Sequence, residues 1–126
     1  MSAILLNDAY YDLLKDGQVI LDGIPVLKEV CLISFKAKAW LDLTERKENG
    51  ESVDSRNIKK HKNDVFRLSQ LIIAESRQAL DEEVEADMKR FLNEMEKENI
   101  DLKALGIRGF SQESMINLFR NCYGIE

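Results

Sequence analysis

The sequence contains very little proline and cysteine. One proline and six glycines are spread over its 126 residues, and so few helix-breaking positions favour long helices. The two cysteines, Cys31 and Cys122, lie far apart and form no CxxC pair. That scarcity excludes a disulfide-rich secreted scaffold and a structural zinc site. We therefore expect both to be reduced thiols in the core of a cytoplasmic protein.

Long hydrophobic runs are also absent. No stretch approaches the roughly 20 apolar residues that cross a bilayer, and the N-terminus lacks the basic and apolar regions of a signal peptide. We expect no membrane partner. Hydrophobic residues make up 44% of the sequence and charged residues 33%. This balance is typical of a globular protein and excludes a disordered tail.

The charge is acidic overall but unevenly distributed. A net charge of −5 argues against nucleic acid as the main partner. The stretch 56–67 is nevertheless basic, while 75–101 is strongly acidic. The basic stretch contains Arg56, Lys59, Lys60, Lys62 and Arg67 with one acid, Asp64. Two interpretations stay open: the basic stretch attracts an anion, or the two segments pair with each other as solvated helix faces.

Turn signals predict a small strand-rich head over residues 1–28. We expect a short strand at 2–6 and a short helix at 8–15 that Gly17 ends. The pair Asp22-Gly23 predicts a hairpin turn between two short apolar runs. Pro25 lacks a backbone donor, so the second run is expected to be an edge strand or a loosely paired one.

The remainder, 29–126, is predicted to be helical. The expected helices lie near 29–47, 55–75, 81–99 and 111–122, with Asp54 or Ser55 and Ser111 as N-caps. The expected fold class is α+β, mostly α: one domain (1–126) in which a small β-hairpin head precedes an antiparallel bundle of about four helices.

The first long helix carries a lysine on its apolar face. At 100° per residue, one stripe consists of Leu32, Lys36, Ala39 and Leu43, and the opposite side of Lys38, Asp42 and Glu45. Burying an unpaired ammonium group is unfavourable. In one interpretation, the stem of Lys36 covers the core while its charge reaches the surface. In the other, Lys36 holds an anion, either a carboxylate across the bundle or a bound phosphate.

The second long helix has the only histidine on its apolar stripe. The stripe consists of Ile58, His61, Val65, Leu68 and Ile72, and the adjacent row of Lys60, Asp64, Arg67 and Leu71. If the two helices pack antiparallel, as their short linker suggests, Asp64 is the natural partner of Lys36. We expect His61 to be a core residue with satisfied hydrogen bonds, which is commoner for a lone histidine than a role as ligand or base.

Several standard sites are absent from the sequence. It has no GxGxxG, no P-loop, no HExxH and no EF-hand loop, so the usual nucleotide, zinc and calcium sites are excluded. The acids of segment 81–98 are interpreted as a solvated helix face and not as a metal site.

Two segments resemble a known family. LISFKAKAWLDL (32–43) and KKHKNDVFRL (59–68) are similar to the C-terminal part of AbiEii-type nucleotidyltransferases, a branch of the nucleotidyltransferase-fold superfamily. The preceding strand pair, QVILDGIPVL (18–27), resembles the last strands of the family's sheet. The resemblance covers about residues 18–72.

The family's helix motifs match individual residues of this sequence. One family helix carries a lysine and, three residues later, an alanine, which correspond here to Lys36 and Ala39. A later family helix carries a Lys-Asp-x-x-Asp pattern. Lys60, His61 and Asp64 match this pattern, with a histidine where the family usually has an acid.

The resemblance implies transfer of a nucleoside monophosphate from a nucleoside triphosphate to an acceptor. In the family, two magnesium ions held by carboxylates stabilise the displacement. By analogy Lys36 and Lys60 are candidates for nucleotide binding and Asp64 supports the site, while His61 and Arg67 are accessory candidates. Some family members are toxins of bacterial toxin–antitoxin systems, so an antitoxin is one expected partner.

The catalytic motifs of the family are missing from this sequence. The family has a Gly-Ser turn that opens a helix and an Asp-x-Asp pair on a strand, and neither occurs here. We therefore expect no complete catalytic site and no metal ligands in this chain, which we interpret as the C-terminal portion or a diverged remnant of a nucleotidyltransferase-like protein. Magnesium and a nucleoside triphosphate are expected only together with a missing N-terminal catalytic portion. The exposed sheet edge of the head (1–28) would suit pairing with that portion or with a second copy.

A different class of function stays open. The chain is also interpretable as a stand-alone helical interaction module that binds a protein or a nucleic-acid backbone through the basic Arg56–Arg67 face. Strongly salt-dependent nucleic-acid binding would favour this alternative.

Overall fold

The computed structural model describes residues 8–72 and 75–125. Its elements in chain order are α1 (Asp8–Gly17), β1 (Gln18–Leu21), β2 (Ile24–Leu27), α2 (Glu29–Glu48), α3 (Ser55–Leu68), a 3-10 turn (Ser69–Leu71), α4 (Glu82–Lys97) and α5 (Gln112–Tyr123). The predicted fold class, mostly α with a small β-hairpin, is confirmed. The strand predicted at 2–6 lies outside the described residues. Within the described ranges, no helix is both long enough and apolar enough to cross a membrane.

The hairpin forms where the turn signal predicts it. Asp22 and Gly23 both have positive φ, 52° and 78°, as a two-residue type I′ turn requires. In the antiparallel register Leu21 lies opposite Ile24, and the next pair includes Pro25. The pair that closes a two-residue turn is hydrogen-bonded, and hydrogen-bonded and non-hydrogen-bonded pairs alternate along the ladder. The pair of Ile20 with Pro25 is therefore a non-hydrogen-bonded one. The nitrogen of Pro25 therefore faces away from β1, and its missing N–H breaks no bond of the hairpin.

Helix α2 lies at the centre of the core and is buried on most of its circumference. Ten of its side chains are buried, including Ile33, Ala37 and Leu41, because α1, α3 and α4 all pack against it. The predicted single apolar stripe is therefore too narrow. Lys38 and Asp42, expected on an outward face, have side chains only 18% and 26% exposed.

Helices α2 and α3 pack antiparallel, as predicted. The ammonium group of Lys47, near the end of α2, donates to the Ser55 hydroxyl at the start of α3, 2.6 Å away. Further along both helices, Lys36 contacts Asp64. The turn into α3 is capped by Asp54, whose carboxylate accepts from the backbone N–H of Arg56. This cap is one of the two that the sequence suggested.

Helix α3 ends earlier than predicted. Its expected span was 55–75, but the α-helix stops at Leu68 and Ile72 is already extended, with φ −94° and ψ 132°. The hydroxyl of Ser69 donates to the carbonyl of Phe66. A serine that bonds the preceding turn competes with the regular backbone ladder, and the extended backbone then buries Ile72.

Helices α4 and α5 agree with their predicted spans to within two residues. The side chain of Gln112 joins the two helices: its amide donates to the carbonyls of Met95 (2.8 Å) and Glu98 (2.6 Å), and its oxygen accepts from Ile100 N–H. Ser111 is the N-cap of α5, as predicted, and forms a reciprocal capping box with Ser114.

One core joins the head to the bundle. Three aromatic contacts link pairs of helices, with ring centroids 5.5–5.8 Å apart: Tyr10 with Phe35, Trp40 with Phe91, and Phe66 with Phe119. Cys31 and Cys122 are buried free thiols in this core, as predicted. Burial raises the pKa of both thiols, so both stay protonated near neutral pH.

Gly17, at the junction of α1 and β1, has no room for a side chain. A Cβ placed there would lie 2.6 Å from the Sγ of Cys31 and 2.9 Å from Cδ1 of Leu27. We expect Gly17→Ala to lower the free energy of unfolding by about 1–2 kcal/mol through overpacking, measured by urea unfolding. Gly17→Ala should cost less in a Cys31→Ala background than in the native chain, since the closest atom, Sγ, is then gone while the Cβ of residue 31 stays 2.7 Å away. A neutral Gly17→Ala variant would show that the junction relaxes without strain.

Candidate functional site

An ion pair between α2 and α3 forms the centre of the candidate site. The Nζ of Lys36 lies 3.2 Å from Oδ2 of Asp64, and the two side chains are 27% and 20% exposed. The other carboxylate oxygen, Oδ1, lies 3.7 Å from a guanidinium nitrogen of Arg67. The predicted pairing of Lys36 with Asp64 is therefore present, and this single carboxylate serves two cations.

His61 lies beside this pair and is not a satisfied core histidine. It is half-buried, and its Nδ1 is buried without a hydrogen-bond partner among the described residues. The expectation of satisfied hydrogen bonds was wrong, because the helix pattern shows which side of α3 His61 occupies but not what its ring nitrogens meet. Burial lowers the pKa of His61, and the charges of Lys36 and Lys60 lower it further, against an opposing effect of Asp64.

Three of the five basic side chains in 56–67 pair with carboxylates. The pairs are Arg56 with Asp54, Lys62 with Glu98, and Arg67 with Asp64. Only the pair with Glu98 joins the basic stretch to the acidic segment. Lys59 and Lys60 are exposed and have no ion pair within the part of the chain that the structure describes. The Arg56–Arg67 stretch is thus less basic in the fold than in the sequence.

We use the term polar seam for five residues along the α2–α3 contact: Lys36, Lys60, His61, Asp64 and Arg67. Lys36, Lys60 and Arg67 are cations and Asp64 is a carboxylate. Burial lowers the pKa of His61 and so favours its neutral form. Lys36 and Asp64 are partly buried, whereas Lys60 and Arg67 are exposed. A group of charges with two excess cations attracts anions. Lysine and arginine donors are well suited to phosphate oxygens. The seam is therefore chemically able to hold a phosphate group.

A second polar cluster lies between α1, α2 and α4, where the sequence pattern predicted solvent. The hydroxyl of Tyr10 donates to Oδ2 of Asp87 at 2.9 Å. The Nζ of Lys38 lies 3.5 Å from the same oxygen and 3.3 Å from Oδ1 of Asp42. We call these four residues the Tyr10 cluster. The sequence pattern predicts a solvated face for the acids of 81–98, but the side chain of Asp87 is only 19% exposed, so that prediction is wrong for this residue.

The Tyr10 cluster had only one local signal in the sequence. Lys38 and Asp42 are four residues apart, the spacing at which opposite charges pair along a helix. The Tyr10 ring also lies under the ammonium group of Lys38, with 5.7 Å between Nζ and the ring centroid. Burial, followed by the charge of Asp87, raises the pKa of Tyr10 far above its usual range. Because each charge faces an opposite one, the cluster is a cross-link between helices rather than a reactive site.

The part of the chain that the structure describes contains no preorganised metal site, since no three His, Cys, Asp or Glu side chains converge there. No known family, curated protein or solved structure matches the chain in sequence or fold comparison. The features that bear on function are therefore the seam, the hairpin and the motifs of α2 and α3.

Proposed function

We propose that this chain supplies the nucleotide-binding side of a nucleotidyltransferase-like protein and does not itself supply the catalytic carboxylates. One observation carries the proposal: Lys36 and Arg67 share the single carboxylate of Asp64, which leaves excess positive charge at the seam. The resemblance of α2 and α3 to AbiEii-type enzymes supports the triphosphate of a nucleotide as the proposed anion.

In the proposed role, Lys36 exchanges Asp64 for a phosphate oxygen. Lys60 adds a second, exposed ammonium group on the same side of α3, and Arg67 provides a planar pair of donors. Each charge-assisted contact of this kind contributes about 1.5–3 kcal/mol. Before the nucleotide binds, Asp64 holds Lys36 and Arg67 near the positions in which they meet the phosphates. These residues bind and orient the nucleotide, and none of them forms or breaks a bond.

The proposal requires carboxylates from outside this sequence. A two-metal displacement needs carboxylates that hold both ions next to the transferring phosphoryl group, and the sequence contains no Asp-x-Asp pair. The magnesium ions of the proposed reaction would therefore be held by another polypeptide segment. The chain alone is expected to bind nucleotide without turnover.

The hairpin is the proposed contact for that segment. Ile20, Leu21, Ile24 and Val26 are 38–67% exposed, although a two-stranded hairpin is only marginally stable when its apolar residues face water. Since the nitrogen of Pro25 points to the outer edge of β2, that edge lacks the donor at this position. Among the described residues, the outer edge of β1 is unpaired and has no proline, so an added strand is expected to pair with β1.

Nucleotide binding by the isolated chain tests the proposal. We expect ATP, CTP, GTP or UTP, titrated with magnesium in a calorimeter, to bind weakly. Lys36→Met should weaken this binding by about tenfold or more, because one charge-assisted phosphate contact is lost. Lys89→Met removes an exposed lysine of α4 as a matched control and should leave the affinity unchanged.

The same variants distinguish a structural ion pair from a binding site. If no nucleotide binds, and Lys36→Met and Asp64→Asn lower the free energy of unfolding by equal amounts, the pair only stabilises the α2–α3 contact. The alternative function, an interaction module that uses the Arg56–Arg67 face, would then be favoured by the exposed ammonium groups of Lys59 and Lys60. Its signature is binding to single-stranded nucleic acid that falls steeply with salt.

A further inference from the structure

We propose that phosphate binding at the polar seam draws Lys36 away from Asp64 and that a protonated His61 takes its place, so that binding takes up a proton. This inference rests on the proposed function, since it concerns the same seam. It makes His61 a positioning residue whose charge depends on whether the site is occupied.

The first step of the argument is the state of Asp64 without ligand. Its Oδ2 is 3.2 Å from Lys36 and its Oδ1 is 3.7 Å from Arg67, so both oxygens face cations. The side chain is only 20% exposed. Without Lys36, Asp64 keeps only the longer contact with the exposed Arg67. A half-buried carboxylate that loses the nearer of its two cations is destabilised, because a distant, exposed charge does not fully replace it. A phosphate that recruits Lys36 therefore creates a demand for another cation.

The second step is the position of His61. It lies three residues before Asp64 on the same helix, a spacing at which side chains are neighbours. Its Nδ1 is buried and has no hydrogen-bond partner within the described ranges. An unpartnered buried ring nitrogen is rare in native proteins. A shift of Asp64 towards this ring, once Lys36 is released, would give the nitrogen its missing acceptor.

The third step is the electrostatics of His61 in each state. Without ligand, burial and the positive charges of Lys36 and Lys60 hold its pKa below the usual value, opposed only by Asp64. Of these charged residues, Lys36 belongs to α2, whereas Lys60 and Asp64 belong to α3. Glu98, at the end of α4, is paired with Lys62. A phosphate neutralises the two lysines and leaves Asp64 facing the imidazole. Both changes favour the imidazolium ion.

The exchange can be tested without any ligand, because His61 is the only histidine and its ring resonances are unambiguous in NMR. We expect Lys36→Met to raise the pKa of His61 by about one unit or more, since it removes a cation and frees Asp64. Adding Asp64→Asn should reverse most of that rise, and Lys89→Met should cause none. An unchanged pKa in Lys36→Met, or a rise that Asp64→Asn does not reverse, would overturn the exchange.

Proton uptake on binding provides the second test. Inorganic triphosphate is titrated into the full chain in buffers of different ionisation enthalpy, from about pH 5 to about pH 8, the range in which imidazole changes charge. The variant His61→Asn corrects for titration of the probe itself. We expect the native chain to take up as much as one proton more than the variant, and its affinity to fall by up to about tenfold per pH unit as the pH rises. Equal uptake in both proteins overturns the exchange alone, whereas no binding at any pH overturns the proposed function together with it.

Discussion

Replacing Phe91 with alanine should lower the free energy of unfolding by about 3–5 kcal/mol. Phe91 lies on α4, is 0% exposed and meets Trp40 of α2 edge to face, with ring centroids 5.5 Å apart. Truncation leaves a cavity in the contact between two helices and removes the aromatic pair. Since small domains have a total stability of about 5–15 kcal/mol, this one change should remove a large share of it.

Urea unfolding followed by far-UV circular dichroism measures this loss. With a slope of about 1–3 kcal/mol per M of urea, the midpoint should fall by about 2 M. Trp40 is the only tryptophan, so its fluorescence reports separately on the α2–α4 contact. Phe110→Ala provides the matched control, because that ring is 52% exposed and its removal should change stability by less than about 0.5 kcal/mol. Equal losses in the two variants would contradict the assignment of α4 to the core.

Features that depend on neighbours in the chain were predictable from the sequence. The Asp22-Gly23 turn follows from backbone conformations that few other dipeptides tolerate. The Ser111 cap follows from unpaired N–H groups at the start of a helix. The Lys36–Asp64 pair was also predictable, although it joins two helices. The ammonium group of Lys36, on the apolar stripe of α2, needs an acidic partner. The short linker after α2 predicts antiparallel packing of α2 and α3, which places Asp64 within its reach.

Features that depend on distant contacts were not predictable. Asp87 lies on a helix rich in exposed acids. Its contacts with Tyr10, 77 residues earlier, and with Lys38 of α2 distinguish it from them. The early end of α3 had a different cause. The apolar spacing continues to Ile72, but the local bond from Ser69 to Phe66 outweighs that periodicity.

The polar seam was partly predictable from the sequence and partly dependent on contacts between the helices. Sequence spacing identified its residues, since periodicity places Lys60, Asp64 and Arg67 along one row of α3. The spacing did not reveal that Asp64 is shared by two cations or that Nδ1 of His61 has no hydrogen-bond partner among the described residues. Both facts depend on where α2 lies relative to α3, and they are the facts on which the proton exchange rests. The hypothesis of an anion site therefore came from the sequence, and its coupling to pH came from the fold.

Asp87→Ala should lower the free energy of unfolding by about 1.5–3 kcal/mol, the range for a hydrogen bond to a charged group. The variant removes the acceptor of the buried Tyr10 hydroxyl and one of the two carboxylates that face Lys38. Three helices lose a common contact, so the effect should exceed that of an ordinary surface charge. Glu85→Ala removes an exposed carboxylate two residues earlier on α4 and should change stability by less than about 0.5 kcal/mol.

A double-mutant cycle with Tyr10→Phe and a measurement at high pH make the cause specific. The two residues should show a coupling free energy of about 0.5–3 kcal/mol; additive losses would mean that Asp87 acts through Lys38 alone. Because the pKa of Tyr10 is raised in the folded protein by burial and by Asp87, its phenol ionises first in the unfolded chain. Stability should therefore fall as the pH rises above about 10, and Tyr10→Phe should reduce that fall by up to about 1.4 kcal/mol per pH unit. Burial of Tyr123 adds a similar loss, which persists in the variant because its phenol is untouched.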